Sequence, residues 1–104
     1  MEISLEEGLE LLKRWQSESA LLRVVIRSEE FSADSQGVVL SSSSEELHLR
    51  LADTDSRFPL AHATFGYAEP DGLSPYVCQL QMRWPNESLC VLFERRLADA
   101  KNLT

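Results

Sequence analysis

The side chains with nucleophile, base or metal-ligand chemistry in this 104-residue chain are Cys78 and Cys90, His48 and His62, and the serine run Ser41 to Ser44. A nucleophilic cysteine needs a base held beside it and a lowered thiol pKa, and neither cysteine sits in a local signature that supplies them. Zinc sites use closely spaced ligand pairs, and the chain has no C-x-x-C and no H-x-x-x-H, so no metal and no cofactor is expected. A reactive serine needs a base and an oxyanion pocket, which a solvated hairpin tip does not offer. In "GVVLSSSSEELHLRL", residues 37–51, the serines therefore read as the bend between two strands, closed by hydroxyls bonding nearby backbone. Asp53-Thr54-Asp55 lacks the glycine and distant glutamate of a calcium loop and reads as a turn. The glycines at 8, 37, 66 and 72 stand alone, which excludes a phosphate-cradling loop. Glu6-Glu7, Glu29-Glu30 and Glu45-Glu46 fall at a helix start or in turns, not in a glycosidase-like pair. No catalytic residue is predicted, and the chain is not expected to be an enzyme.

Two further readings depend on register. If Pro85-Asn86-Glu87 is a three-residue loop, Trp84 faces Ser88, Met82 faces Cys90 and Cys78 lies opposite Glu94. The two cysteines are then about 13 Å apart along the strand at roughly 3.3 Å per residue. A two- or four-residue loop puts them on opposite sheet faces, so free, mostly buried thiols are expected either way. In the serine hairpin, pairing Leu40 with Leu47 places the bend at Ser42 to Glu45, whereas a shift of one residue turns Val39 inward instead.

The least bland constellation is cationic. If the apolar partners on each strand face a core, Arg23 and Arg27, His48 and Arg50, and Arg83 with Gln79 and Gln81 all point outward. Such a face is either solvated, its arginines paired with neighbouring acids, or a docking surface on which the planar guanidinium fork reads carboxylate or phosphate. Arg23, Arg27, His48, Arg50 and Arg83 are accordingly the candidate ligand- or partner-binding residues.

Elements that position these side chains follow from periodicity. Ser4-Leu5-Glu6-Glu7 has the S-x-x-E form of a capping box, and Leu5, Leu9, Leu12 and Trp15 form one apolar stripe, predicting an amphipathic helix over 5–18. From Ala20 the period becomes 2, and strands are expected at about 20–28, 31–41, 46–52, 60–67, 76–84 and 88–95, with a tail at 97–104. Gly37 marks a bulge or bend. Pro85 suits the second position of a turn and Asn86 the third. The connections are too short for parallel crossovers. The expected architecture is a single α+β domain over 1–104: an N-terminal helix and a six-stranded, mainly antiparallel meander. The sheet curls or forms a small barrel plugged by the helix, with the barrel-like form favoured.

Composition narrows the partners. Seventeen acids against ten bases give a net charge of −7, which repels phosphate backbones and anionic lipid, so neither nucleic acid nor membrane is an expected partner. No apolar run reaches the roughly 20 residues of a membrane span, and the acidic N-terminus does not look like a signal peptide. A cytoplasmic location is expected, which sets aside the sequon Asn86-Glu87-Ser88.

The segment from Gly37 to Leu51 resembles the strand-turn-strand core of small β-barrel modules such as the PilZ domain. In that family a D/N-x-S-x-x-G turn and an upstream R-x-x-x-R bind cyclic dinucleotide. Arg23 and Arg27 have the arginine spacing and Ser44 stands at the serine, while Ser42 and Leu47 occupy the acid-or-amide and glycine positions. The sequence thus points to a small non-enzymatic protein acting through self-association or partner docking, a homodimer across an exposed sheet edge being one economical form. The alternative is a regulatory domain that binds an anionic, nucleotide-like molecule on the arginine-bearing face.

Overall fold

A computed structural model describes residues 1–52 and 54–96. The elements are β1 (Glu2–Ile3), α1 (Leu5–Glu18), β2 (Leu22–Arg27), β3 (Ser32–Ser42), β4 (Glu46–Leu51), β5 (Thr54–Pro59), β6 (Thr64–Ala68), β7 (Tyr76–Arg83) and β8 (Leu89–Arg95). They form one helix and one antiparallel sheet in the order β1-β6-β7-β8-β2-β3-β4-β5. The α+β class and the N-terminal helix are as expected, with eight strands in place of six. The expected tail at 97–104 lies outside the described residues.

Helix α1 starts where the capping box predicts. Ser4 Oγ accepts from the Glu7 backbone N–H, and Glu7 returns a carboxylate oxygen to the Ser4 N–H, both at 3.1 Å. It ends at Ser19, whose left-handed φ of 50° lets its N–H close the last turn onto Gln16 and Trp15. Leu12 and Trp15 are fully buried, and Gly8 lets the helix approach β6 so closely that a Cβ there would lie 2.5 Å from the Phe65 ring.

Two strands went unread because they lack the signals that reveal strands. β5 alternates Asp55 and Arg57 with Thr54, Ser56 and Phe58 and ends at Pro59, so only one inward residue is large and apolar. Charge and proline are how a sheet edge is blunted, and β5 is an edge. β1 is too short for any period. The segment expected as a strand over 60–67 begins as a turn, with Ala63 N–H on Leu60 O, and becomes β6 only at Thr64.

The chain forms two meanders, β2-β3-β4-β5 and β6-β7-β8, joined by the β2–β8 ladder. Residues 60–63 connect β5 at one edge to β6, the neighbour of the strand at the other. Laid flat, those strands would be about 29 Å apart at about 4.8 Å per strand. The five Cα steps between Pro59 and Thr64 reach at most about 19 Å. The sheet must therefore roll up, but no ladder joins β5 to β1 or β6, so the favoured barrel does not close.

Gly37 sits at the corner of the roll, paired to Leu22 on one side and Leu51 on the other. A Cβ here would lie 2.6 Å from the Arg50 carbonyl oxygen, so glycine is required by close backbone approach. In the serine hairpin the one-residue shift is realised up to Val39, which pairs with Leu49 and is buried; past an irregularity at Leu40 the offset grows to two, with Ser41 on His48 and Ser42 on Leu47, so Ser42 belongs to the strand and the bend starts at Ser43. Ser43 closes the bend, its hydroxyl accepting from the Glu45 and Glu46 N–H groups at 3.2 Å.

The concave side is the core. Leu22, Val24, Leu47, Leu49, Leu80, Met82, Cys90 and Leu92 meet there, and α1 packs over it against β3 and β6. No helix among the described residues is long and apolar enough to cross a membrane.

Candidate functional site

Register assigns every strand residue to a face, because directly paired residues point the same way. The β7–β8 hairpin has the pairing that a three-residue loop predicts: Met82 with Cys90, Cys78 with Glu94, and Trp84 N–H on Ser88 O. The Glu87 N–H returns to Trp84 O, so Pro85 and Asn86 are the second and third turn residues. Both cysteines are free and buried. Burial pushes the Cys90 thiol up to about 12, and burial followed by the Glu94 hydrogen bond pushes Cys78 up to about 11. Both are held as neutral thiols, the opposite of what a nucleophile requires.

The same parity turns Glu94 inward, beside Leu22 and Cys78. Its Oε1 accepts from Trp15 Nε1 at 3.0 Å and from Cys78 Sγ at 3.3 Å, and it forms an ion pair with Arg14. Tyr67, beside Cys78, has its hydroxyl pushed up to about 12, first by burial and then by Cys78. One carboxylate thereby pins α1 to β7 and β8 through its Oε1, as a structural clamp.

The opposite, convex face of β7-β8-β2 is different. Three ladder rungs run across it: Arg83, Leu89 and Arg27; then Gln81, Val91 and Val25; then Gln79, Phe93 and Arg23. Tyr76 and Arg95 form the next pair. β8 therefore carries an apolar column, Leu89, Val91 and Phe93, on the side away from the core, with arginines at both ends. The outward positions of β2, β6, β7 and β8 hold no carboxylate, in a chain with seventeen acids.

The candidate cations separate into two groups on this geometry. Arg27 and Arg83 flank Leu89, two strand spacings or about 10 Å apart, and neither has an ion-pair partner among the described residues. Arg23 lies further up the same face and is already bidentate on Asp34, at 3.0 and 2.5 Å. That pairing lowers the Asp34 carboxyl and raises the Arg23 guanidinium. Arg23 also donates to the Tyr76 hydroxyl at 3.2 Å and lies over the Phe93 ring at 5.4 Å.

His48 and Arg50 are outward as expected but lie on β4, beyond the corner at Gly37. Asp55 binds Arg50 Nε at 2.9 Å, and its carboxyl is lowered chiefly by Arg50; His48 Nε2 lies 3.3 Å from it but is buried without a hydrogen bond. Arg50 thus fits the solvated reading of the cationic face. Ser44 and Arg27 are at opposite ends of β3, with the ten steps from Ser32 to Ser42 between them. The PilZ-like arrangement of arginines around the serine turn is therefore not formed.

Arg95, Leu89, Val91 and Phe93 were missed as site residues. The readable signal was the unbroken apolar run "LCVLF", since a strand with one wet face should alternate. His62 sits in the turn before β6 with a left-handed φ of 66°. Among the described residues, no three His, Cys, Asp or Glu side chains gather where they would hold a metal ion. In comparisons with known proteins, the chain matches no family model, no curated protein and no solved structure.

Proposed function

We propose that this is a non-enzymatic binding protein whose working surface is the convex face of β7-β8-β2, and that its partner is a protein segment presenting apolar side chains bordered by carboxylates. The observation that carries this reading is the apolar column Leu89-Val91-Phe93 set among Arg23, Arg27, Arg83 and Arg95 without one intervening acid. An apolar centre with an arginine rim is the usual composition of a protein interface.

Charge favours a different partner over a second copy on this face. A two-fold axis would set the arginines of one copy against those of the other, and like charges brought together are repelled. The sheet edges offer self-association little, since β1 is two residues long and β5 carries Asp55, Arg57 and Pro59. An anionic small molecule remains the second reading, favoured by the unpaired Arg27 and Arg83 alone.

Isotope-labelled protein titrated with a synthetic peptide alternating leucine and aspartate tests the proposal. Amide shifts are expected on β7, β8 and β2, weakening with salt and abolished by Arg27→Glu with Arg83→Glu. Equal binding of a leucine and lysine peptide, or shifts confined to other strands, would refute it. Sedimentation of the unliganded protein reports self-association separately.

A further inference from the structure

The convex face of β7-β8-β2 lies in the middle of the sheet, and each of its three strands has a strand on both sides. Their backbone groups are committed to ladders, so a partner cannot join this face by adding a strand to it. Only side chains are offered to what docks. In an extended segment successive side chains point to opposite faces. One that seats apolar residues on Leu89, Val91 and Phe93 therefore turns the residues between them away from the arginines.

A helix places apolar and acidic side chains differently, and its dimensions match this face. Arg27 and Arg83 stand on either side of Leu89, about 10 Å apart, with no ion-pair partner among the described residues. A helix with its side chains is about 10–12 Å across, so one seated on Leu89 lies between the two. Its residues immediately before and after the seated one project about 100° to either side, toward one arginine each. The column repeats in step as well. Its residues are two apart on β8, about 6.6 Å, and positions i, i+4 and i+8 of a helix are about 6 Å apart. At the other end of the column Arg23 is held by Asp34 and Tyr76, and Arg95 lies over the Tyr76 ring at 6.0 Å. The cations without such engagements are the two beside Leu89.

We infer that the partner segment is an amphipathic helix lying along β8, its apolar stripe on Leu89, Val91 and Phe93. At the Leu89 end it carries a carboxylate on each flank, one received by Arg27 and the other by Arg83. This inference rests on the docking face proposed for the protein and adds the shape of what docks.

The probe is an alanine-based peptide of about 18 residues, long enough for an isolated helix. It has leucine at i, i+4 and i+8, glutamate at i−1 and i+1, and glutamine at i−2 and i+2. Exchanging the glutamates with the glutamines keeps helix and charge but turns the carboxylates to the far side. Proline for the alanine at i+6 keeps every contact residue and breaks the helix. Titrated into the labelled full chain, the probe is expected to shift amides of β7, β8 and β2, with more helical circular dichroism than the sum of the parts. The exchanged peptide should bind about threefold more weakly, the worth of two exposed pairs. The proline peptide should bind at least about tenfold more weakly. In Arg27→Gln with Arg83→Gln, at two exposed positions where folding is not at stake, probe and exchanged peptide should bind alike. Equal binding of the proline peptide, or binding of the leucine and aspartate peptide but not the probe, would overturn the helix and leave the docking face. Equal binding of the exchanged peptide, or a preference for the probe that survives in the double variant, would overturn the flanking carboxylates. No shift on β7, β8 and β2 with either the probe or the leucine and aspartate peptide would overturn the face itself, and the inference with it.

Discussion

The two faces of β8 carry the same kind of residue to opposite ends. On the concave face Cys90 and Leu92 are fully buried in the core, and the one acid there, Glu94, is bound by Arg14, Trp15 and Cys78. On the convex face Leu89 and Phe93 are partly open to solvent, and the cations around them are only partly paired. Burial inside is complete at Cys90 and Leu92, and the charge of the part-buried Glu94 is neutralised locally, as a core demands. Outside, apolar area and charge are left over, which is what the proposed contact surface draws on. Val91 shows the limit of the contrast: it points outward yet is only 8% exposed, because its neighbours already crowd it.

Neighbouring residues on this one strand offer the sharpest way to break the comparison. Leu92→Ala removes a fully buried side chain from the middle of the roll and should cost about 2–5 kcal/mol. Phe93→Ser removes a larger side chain from the convex face. It should cost only about 1 kcal/mol, the worth of its ring contact with Tyr76. Chemical denaturation of the two variants checks the pair. Equal losses would mean that the convex column is structural, leaving no surplus surface for a partner.

A smaller loss is expected at the clamp. Glu94→Leu keeps an apolar volume at the inward position but leaves Trp15 Nε1 and Arg14 without their acceptor, which should cost about 1–3 kcal/mol. The same change at Asp34 strands nothing buried, because Arg23 is at the surface, and denaturation midpoints should hardly move. If both variants behave alike, the inward carboxylate is no more than another surface pair.

How far the sequence revealed this depends on whether a signal was local. The capping box at Ser4 and Glu7, the 3.6-residue stripe ending at Trp15 and the turn at Pro85-Asn86 are each decided within a few residues, and all are present, except that Leu5 at the start of the stripe is exposed. Once that turn was set, parity put Cys78 opposite Glu94 and made the thiols free. The inward aim of Glu94 was available from the same parity, though nothing nearby announced that Arg14 and Trp15 would reach it from the helix. β5 stayed hidden because edge strands suppress the apolar alternation by which strands are found. The Phe58–Trp84 ring contact stayed hidden with it, since the two meet only through the roll. The serine hairpin was undecided by one residue, and the extra residue at Leu40 is a packing outcome that leaves no composition mark.

The smallest effects separate the faces by pH. Convex Asp34 and Asp55 have carboxyls held below the ordinary 3.8 by Arg23 and Arg50. Depressed acids add stability that is present above the unfolded value and lost as pH falls through the folded one, so this face weakens only below about pH 3.8. Concave Cys78 and Cys90 are raised from 9.0 to about 11 and about 12. An acid whose folded value is raised holds its proton longer in the native state. Stability is then unaffected below pH 9 and declines as pH climbs from 9 toward about 12. Urea midpoints measured across pH should therefore show a slight acid limb removed by Asp34→Asn with Asp55→Asn, and an alkaline limb whose part between pH 9 and 10 is removed by Cys78→Ala with Cys90→Ala, the raised Tyr67 hydroxyl keeping a decline above pH 10. An unchanged decline between pH 9 and 10 in the cysteine double variant would assign it to other groups, and the thiols would no longer distinguish the buried face from the open one.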